Sequence, residues 1–288
     1  MRVHLHRTHQ RFPVGSSVAH RDTAAWLPAA GATLLILATL AVFWQVQGHA
    51  FMLWDDGLHV YDNPYLQAFT FDNIRAVWRA PYAELYMPLT YTLWALTAAV
   101  ARGVSPSPPG DAPFAPQFFH MLNLLVHLVS VLVVWRLVRL LLVRTVSRTA
   151  TSPPLSRVAW AAGGGALVFA LHPIQVEAVA WVTGFKDVLC GCLSCVAVWQ
   201  YLRYAWGKEE ATTSGTAARG QASPARGHYW LATGAFVLAL LAKPAAVVVP
   251  VVAWLLDVWG WPQTWRHRRP ALLAWLGLAG LWGLWTSL

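Results

Sequence analysis

Eight apolar runs divide the chain, at residues 26–47, 85–101, 117–138, 158–171, 187–205, 229–242, 245–260 and 271–288. Several approach the length of about 20 apolar residues that a bilayer-spanning helix requires. The polar stretches between them carry charges, and those charges decide how the runs thread. Loops rich in Lys and Arg stay on the cytoplasmic side of a membrane. If all eight runs spanned, with residues 1–25 inside, the basic stretch 136–157 would fall outside. Demoting one run removes the conflict. The run 85–101 is short, holds Pro88, Thr90, Tyr91, Thr92 and Thr97, and ends at Arg102 before a Pro-rich loop. We read it as an interfacial or re-entrant helix against the outer leaflet.

The expected fold is therefore an all-α polytopic membrane protein, with about seven transmembrane helices and a juxtamembrane helix in the first outer loop. Residues 1–25 form a cytoplasmic tail, and 26–288 a single membrane module. The outer face receives a first loop, 49–115, a second, 172–186, and the tight turn at Lys243-Pro244. Loop 207–227, rich in Gly, Ala, Ser and Thr, reads as a flexible cytoplasmic linker. The apolar core at 26–43 exceeds the roughly 7–15 residues of a cleaved signal peptide, so the first run is expected to remain as an anchor.

Composition strengthens this reading. Of 288 residues, 57% are hydrophobic and 11% charged, against roughly 25% charged in a soluble domain. The net charge of +9 raises a nucleic-acid reading, but 16 of the 21 Lys and Arg lie in four clusters between apolar runs. They are Arg2 to Arg21, Arg136 to Arg157, Arg203 to Arg226, and Arg266 to Arg269. Basic groups dispersed in this way mark topology rather than a nucleic-acid footprint. The first outer loop has the opposite balance, with six acidic and three basic residues. Cys190, Cys192 and Cys195 lack the spacing and the second pair of a zinc site and read as packing residues.

Three motifs share the outer face. The first is Trp54-Asp55-Asp56-Gly57, followed by Tyr61-Asp62-Asn63-Pro64-Tyr65. Adjacent carboxylates repel, and partial desolvation favours a proton on one of them, the poise that a general base acting on a hydroxyl needs. The alternative is a solvated turn built on Asp-Asn-Pro. The second motif runs from His172-Pro173 through Glu177 and Trp181 to Gly184-Phe185-Lys186-Asp187. Ionisable groups at membrane depth are costly and mark function by default, and Glu177, with apolar neighbours on both sides, is the sharpest case. Asp187 has an alternative as a helix cap, Lys186 as a snorkelling cation, and His172 as the end of its span. The third is Ala242-Lys243-Pro244, with Leu255-Leu256-Asp257 beyond it. Lys243 is either a point charge for phosphate or another snorkelling lysine. His120, Asn123 and His127 fall on one helix face and suit interhelical hydrogen bonds better than a metal.

Taken in order, these segments resemble the polytopic glycosyltransferases of the C-type fold. Within them, the chain is most similar to the membrane proteins with tetratricopeptide repeats that include protein O-mannosyltransferases. The resemblance is carried by Trp54-Asp55-Asp56 with Tyr61-Asp62-Asn63-Pro64, Pro88-Leu89-Thr90-Tyr91, and Phe119-His120 with Asn123-Leu124-Leu125 and His127. It continues through Leu171-His172-Pro173 and Glu177 to Ala180-Trp181-Val182, Lys186-Asp187-Val188-Leu189, Lys243-Pro244 and Leu255-Leu256-Asp257. It implies a catalytic carboxylate in the first outer loop, a further acidic group in the second, and a juxtamembrane helix in the first. Phe185 departs from the pattern, since relatives commonly have Arg there. The resemblance also implies further spans beyond Leu288, so the module is expected to be truncated at its C-terminus.

On this reading the protein moves a sugar, expected to be mannose, from a polyprenol-phosphate carrier to a Ser or Thr hydroxyl of an acceptor polypeptide, with inversion. Asp55, Asp56 and Glu177 are the catalytic candidates, and His172, Lys186, Asp187 and Lys243 the substrate-binding ones. No cofactor is implied with certainty; a divalent cation at Glu177 is one option. The bilayer is an expected partner and nucleic acid is not. The active face is non-cytoplasmic, on a bacterial inner membrane or its endoplasmic-reticulum equivalent. The rival readings are a lipid-carrier flippase, with Glu177 and Lys243 in its path, and a non-catalytic membrane scaffold.

Overall fold

A computed structural model describes residues 27–105, 112–146, 154–213, 224–260 and 269–287. The expected cytoplasmic tail at 1–25 and the middle of the expected linker, 214–223, lie outside the described residues. Among the described residues every regular element is helical, apart from one isolated bridge between Tyr82 and Leu85.

All eight apolar runs form helices. They are α1 (Leu27–Phe43), α3 (Pro88–Val104), α4 (Gln117–Val146), α5 (Leu155–Leu171), α7 (Phe185–Thr213), α8 (Pro224–Ala242), α9 (Val249–Gly260) and α10 (Arg269–Ser287). Two further helices occupy the loops: α2 (Phe71–Arg79) and the short α6 (Gln175–Ala180). Among the described residues three apolar helical stretches are long enough to cross a bilayer, Ala29–Gly48, Gln117–Val146 and Val182–Gly207. Others, Leu155–Leu171, Pro244–Trp259 and Pro270–Thr286, are apolar but shorter. Length and composition thus support an all-α membrane protein without fixing seven spans. The expected linker is also shorter than 207–227, because α7 continues to Thr213 and α8 starts at Pro224.

Packed groups of buried residues meet on α4. Leu35, Val131, Trp135, Ala162, Ala166 and Ala170 bind α1, α4 and α5 together. A larger core joins α3, α7, α8, α9 and α10 around Tyr91, Trp94, Phe185, Tyr201, Phe236 and Trp275. Small residues on α3, Ala95, Ala98 and Ala101, are buried and allow close helix approach, as membrane helices favour. Phe185 has a packing reason for its place. Its side chain is fully buried with its ring 6.1 Å from that of Trp94, so the position is a core position in this chain.

The segment expected to form the first outer loop is ordered by local chemistry. Thr70 caps α2 by accepting from the Asn73 N–H at 3.3 Å, with Asp72 in the first turn and Arg79 in the last, each matched to the helix dipole. Pro88 opens α3 at a position where its missing N–H costs nothing. Arg102 donates to the Leu66 carbonyl at 3.0 Å and lies 5.0 Å over the Phe114 ring, drawing the two ends of the loop together. Between α2 and α3 the chain turns through Ala83 (φ 47°) and Glu84 (φ 64°), both in the left-handed region that disfavours side chains. That turn sets Tyr82 over the site described next.

Candidate active site

The first motif enters a single π-helical turn, Gly57–Tyr61, closed by the Asp62 N–H on the Gly57 carbonyl at 3.0 Å. Such turns recur at functional sites because they re-aim side chains. Here the two aspartates part company. Asp56 is fully buried, and its oxygens accept the Met52 N–H at 2.9 Å and the Thr183 N–H at 3.0 Å. It therefore ties the first outer loop to the second across 127 residues of sequence. Asp55 is half-buried and acts electrostatically on both His59 and Lys186. The pair is thus not two equivalent carboxylates on a solvated turn. The Asp-Asn-Pro segment does follow ordinary turn chemistry, with the Asn63 side chain accepting the Tyr65 N–H at 3.0 Å.

His59 is buried beside these carboxylates, with Nδ1 3.0 Å from the Tyr91 hydroxyl. That hydroxyl donates to the Tyr82 carbonyl at 3.3 Å. Burial pulls the imidazole below its ordinary value, and the Lys186 charge adds to this, while Asp55 and Asp56 pull it back. The Tyr82 ring stands beside His59, Tyr65 and Tyr91, at centroid distances of 6.4, 5.6 and 5.8 Å. His59 and Tyr91 were not among the residues singled out for chemistry. The available signal was spacing: His59 follows Asp55 by four residues, one helical turn.

Lys186 is half-buried, donates to the Thr183 carbonyl at 3.1 Å and sits 5.5 Å over the Trp181 ring. It lies within electrostatic reach of Asp187, Lys243, Asp55 and Asp56. Lys243 pairs with Asp187 in a direct ion pair, both partly exposed. Asp187 is therefore a counter-ion in the first turn of α7 rather than a cap. The Lys243 turn is held from two sides: the Thr90 hydroxyl donates to the Ala242 carbonyl at 2.9 Å, and the Cys190 thiol to the Lys243 carbonyl at 3.8 Å. The packing role expected for the cysteines holds for Cys190, with this added contact.

Glu177 does not sit among buried apolar groups. It is exposed on α6 and lines a cavity of about 500 Å³ with His49, Met52, Trp54 and Trp181. Trp181 is shared: it lines this cavity and also carries Lys186 on its ring. His172 is exposed and ends α5; its Nδ1 accepts the Ile174 N–H at 3.2 Å, which starts the turn into α6. That role is structural. Among the described residues no group of three or more His, Cys, Asp or Glu is placed to hold a metal ion.

The second loop owes its position to α4. Asn123 donates to the Trp181 carbonyl at 2.6 Å, and His127 Nε2 lies 3.0 Å from the Ala170 carbonyl. The interhelical hydrogen bonds expected on this face are present, while His120 packs edge-on against His49. Gly184 is required where it stands, since a Cβ there would lie 2.5 Å from the Ala178 carbonyl oxygen.

Asp55, His59, Lys186 and the Lys243–Asp187 pair thus converge from two loops and one helix turn. The set combines two carboxylates, an imidazole and two cations, the elements of acid–base chemistry on an anionic substrate. No family model matches the chain, and no solved structure matches it. Over 149 residues it is 32% identical to the protein O-mannosyl-transferase Tmtc2 of Drosophila melanogaster. The match takes in 50% of this chain and 13% of that relative, so the chain spans only a small part of its length. The three long apolar helices and this relative together fit an integral membrane protein.

Proposed function

We propose that this chain carries the donor and acceptor site of a membrane glycosyltransferase that moves a sugar from a polyprenol-phosphate carrier to a Ser or Thr hydroxyl. The reading is supported most by the convergence of Asp55 and His59 with Lys186 and Lys243, together with the similarity to an O-mannosyl-transferase. In this scheme Asp55 accepts the proton of the acceptor hydroxyl. The hydroxyl oxygen attacks the anomeric carbon, the bond from that carbon to the phosphate oxygen breaks, and the configuration inverts. The polyprenyl phosphate leaves as an anion, met by Lys186 and Lys243. Asp187 holds Lys243 in place until phosphate competes for it, and Glu177 lines the cavity offered to the acceptor side. Mannose is the sugar we assign, and the non-cytoplasmic face the working side.

The test uses the full-length protein in detergent, a polyprenol-phosphate mannose donor and an acceptor peptide. Asp55→Asn is expected to lower transfer by about 10²–10⁴-fold, the usual cost of losing a general base. Wild-type rates for Asp55→Asn would remove the first loop from the chemistry.

A further inference from the structure

At the opposite, basic end of the bundle α1, α4 and α5 fail to close. Ala30, Gly31, Leu34 and Leu35 face Ala159, Trp160, Gly163, Gly164 and Leu167 across an almost wholly apolar cavity of about 330 Å³. Small residues make the gap, and a Cβ added at Gly163 or Gly164 would meet nothing within 4 Å. Its floor is Trp135, and Gly31 lets α1 approach that ring, where a Cβ would lie 3.2 Å from Cζ2. A second cavity of about 340 Å³ adjoins it, lined by Ala29, Ala32, Trp135, Arg136 and Arg139.

Trp135 joins the two spaces. Its side chain is 7% exposed, and its indole N–H has no hydrogen-bond partner among the described residues. A buried indole N–H normally finds an acceptor, because leaving it unpaired costs free energy. Both arginines are exposed; Arg136 lies 5.7 Å over the Trp199 ring, and Arg203 lies 5.5 Å over the same ring. A slot of apolar wall, one unpaired donor and then paired cations follow one another along the bundle. Basic pockets between membrane helices at this level suit anionic lipid headgroups.

We propose that this crevice binds one anionic glycerophospholipid. The phosphate rests on Arg136 and Arg139, an ester carbonyl accepts the Trp135 N–H, and one acyl chain enters the apolar cavity. That cavity holds about ten methylene-sized groups if each takes the roughly 30 Å³ that a water molecule takes in the liquid. The site is separate from the one above: Trp135 lies twelve positions beyond Asn123 on α4, about 18 Å along the axis. It does not depend on the glycosyltransferase reading.

Native mass spectrometry of the intact chain in mild detergent, titrated with dioleoyl phosphatidylglycerol, tests this. One retained lipid is expected, bound more tightly than dioleoyl phosphatidylcholine. Replacing both Arg136 and Arg139 with Ala should weaken retention by about 30-fold, from about 1 kcal/mol per arginine near the surface. Trp135→Phe, which keeps the ring and removes the donor, should cost about 2–10-fold. Gly164→Leu should exclude the chain with no change at the headgroup. Because both arginines are exposed, the double variant remains folded and informative even if Gly164→Leu is not. Equal retention by parent and double variant would overturn the proposal. So would equal binding of the two lipids, or no retained lipid because the chain's own N-terminal residues fill the crevice.

Discussion

Asp56 and Asp55 are neighbours in sequence but should fail in different assays. Asp56→Ala removes the acceptor for two N–H groups, Met52 at 2.9 Å and Thr183 at 3.0 Å, and the second of these is buried. Hydrogen bonds to a charged acceptor are each worth about 1.5–3 kcal/mol, and a stranded buried donor carries its own desolvation cost. Losing both should cost about 3–6 kcal/mol. Asp56→Asn keeps one oxygen but turns an amide NH2 towards the other N–H, so about half that loss is expected. The readout is a thermal melt of the detergent-solubilised protein, followed by size-exclusion fluorescence. Asp56→Ala should melt lowest, Asp56→Asn between it and the parent, and Asp55→Asn beside the parent while losing transfer. The loss in Asp56→Ala should also expose the second loop to protease near Thr183. If Asp56→Ala melts with the parent, the carboxylate does not hold the loops together. If Asp55→Asn melts as low as Asp56→Ala, the division of labour between them is wrong.

Lys243→Ala should raise the apparent KM for the lipid-linked donor and leave the melting temperature nearly unchanged, since its pair with Asp187 is partly exposed and such pairs contribute about 0–1 kcal/mol. Lys243→Arg should keep part of the donor affinity; superimposable donor titrations for Lys243→Ala and the parent would exclude the residue from the site. Gly184→Ala forces a methyl against the Ala178 carbonyl, so the second loop must shift, and both stability and transfer should fall; an unaltered melt would mean that the loop is loosely packed. His59 is held below its ordinary value of 6.5, so the unfolded chain binds the extra proton first. Its contribution to stability is present above that value and is lost as pH falls below it. His59→Asn should therefore flatten the melting profile between about pH 7 and 5, and a profile parallel to the parent's would show that another group sets the slope.

Hydrophobic run length located every long helix because lipid or protein surrounds those residues on most sides, and the period of the pattern matters less than its extent. Lys243-Pro244 marked the break after α8, because proline cannot continue a helix from behind, whereas the run at 85–101 begins as a helix only at Pro88. The same local chemistry made the outer motifs visible as places where charge interrupts apolar sequence. What the sequence could not settle was which charge meets which. Asp55 and Asp56 read alike, yet a difference of one position on a helical turn buries one against Thr183 of the second loop and leaves the other half-buried. Glu177 looked buried because its sequence neighbours are apolar, but α6 is a single surface turn whose exposed face carries the carboxylate. His59 acquired its neighbours from Tyr91, 32 residues away, and Asp187 its counter-ion from Lys243, 56 residues away. Pairings over such separations are fixed by how α3, α7 and α8 pack together, and that depends on side-chain volumes along whole helices rather than on any local pattern.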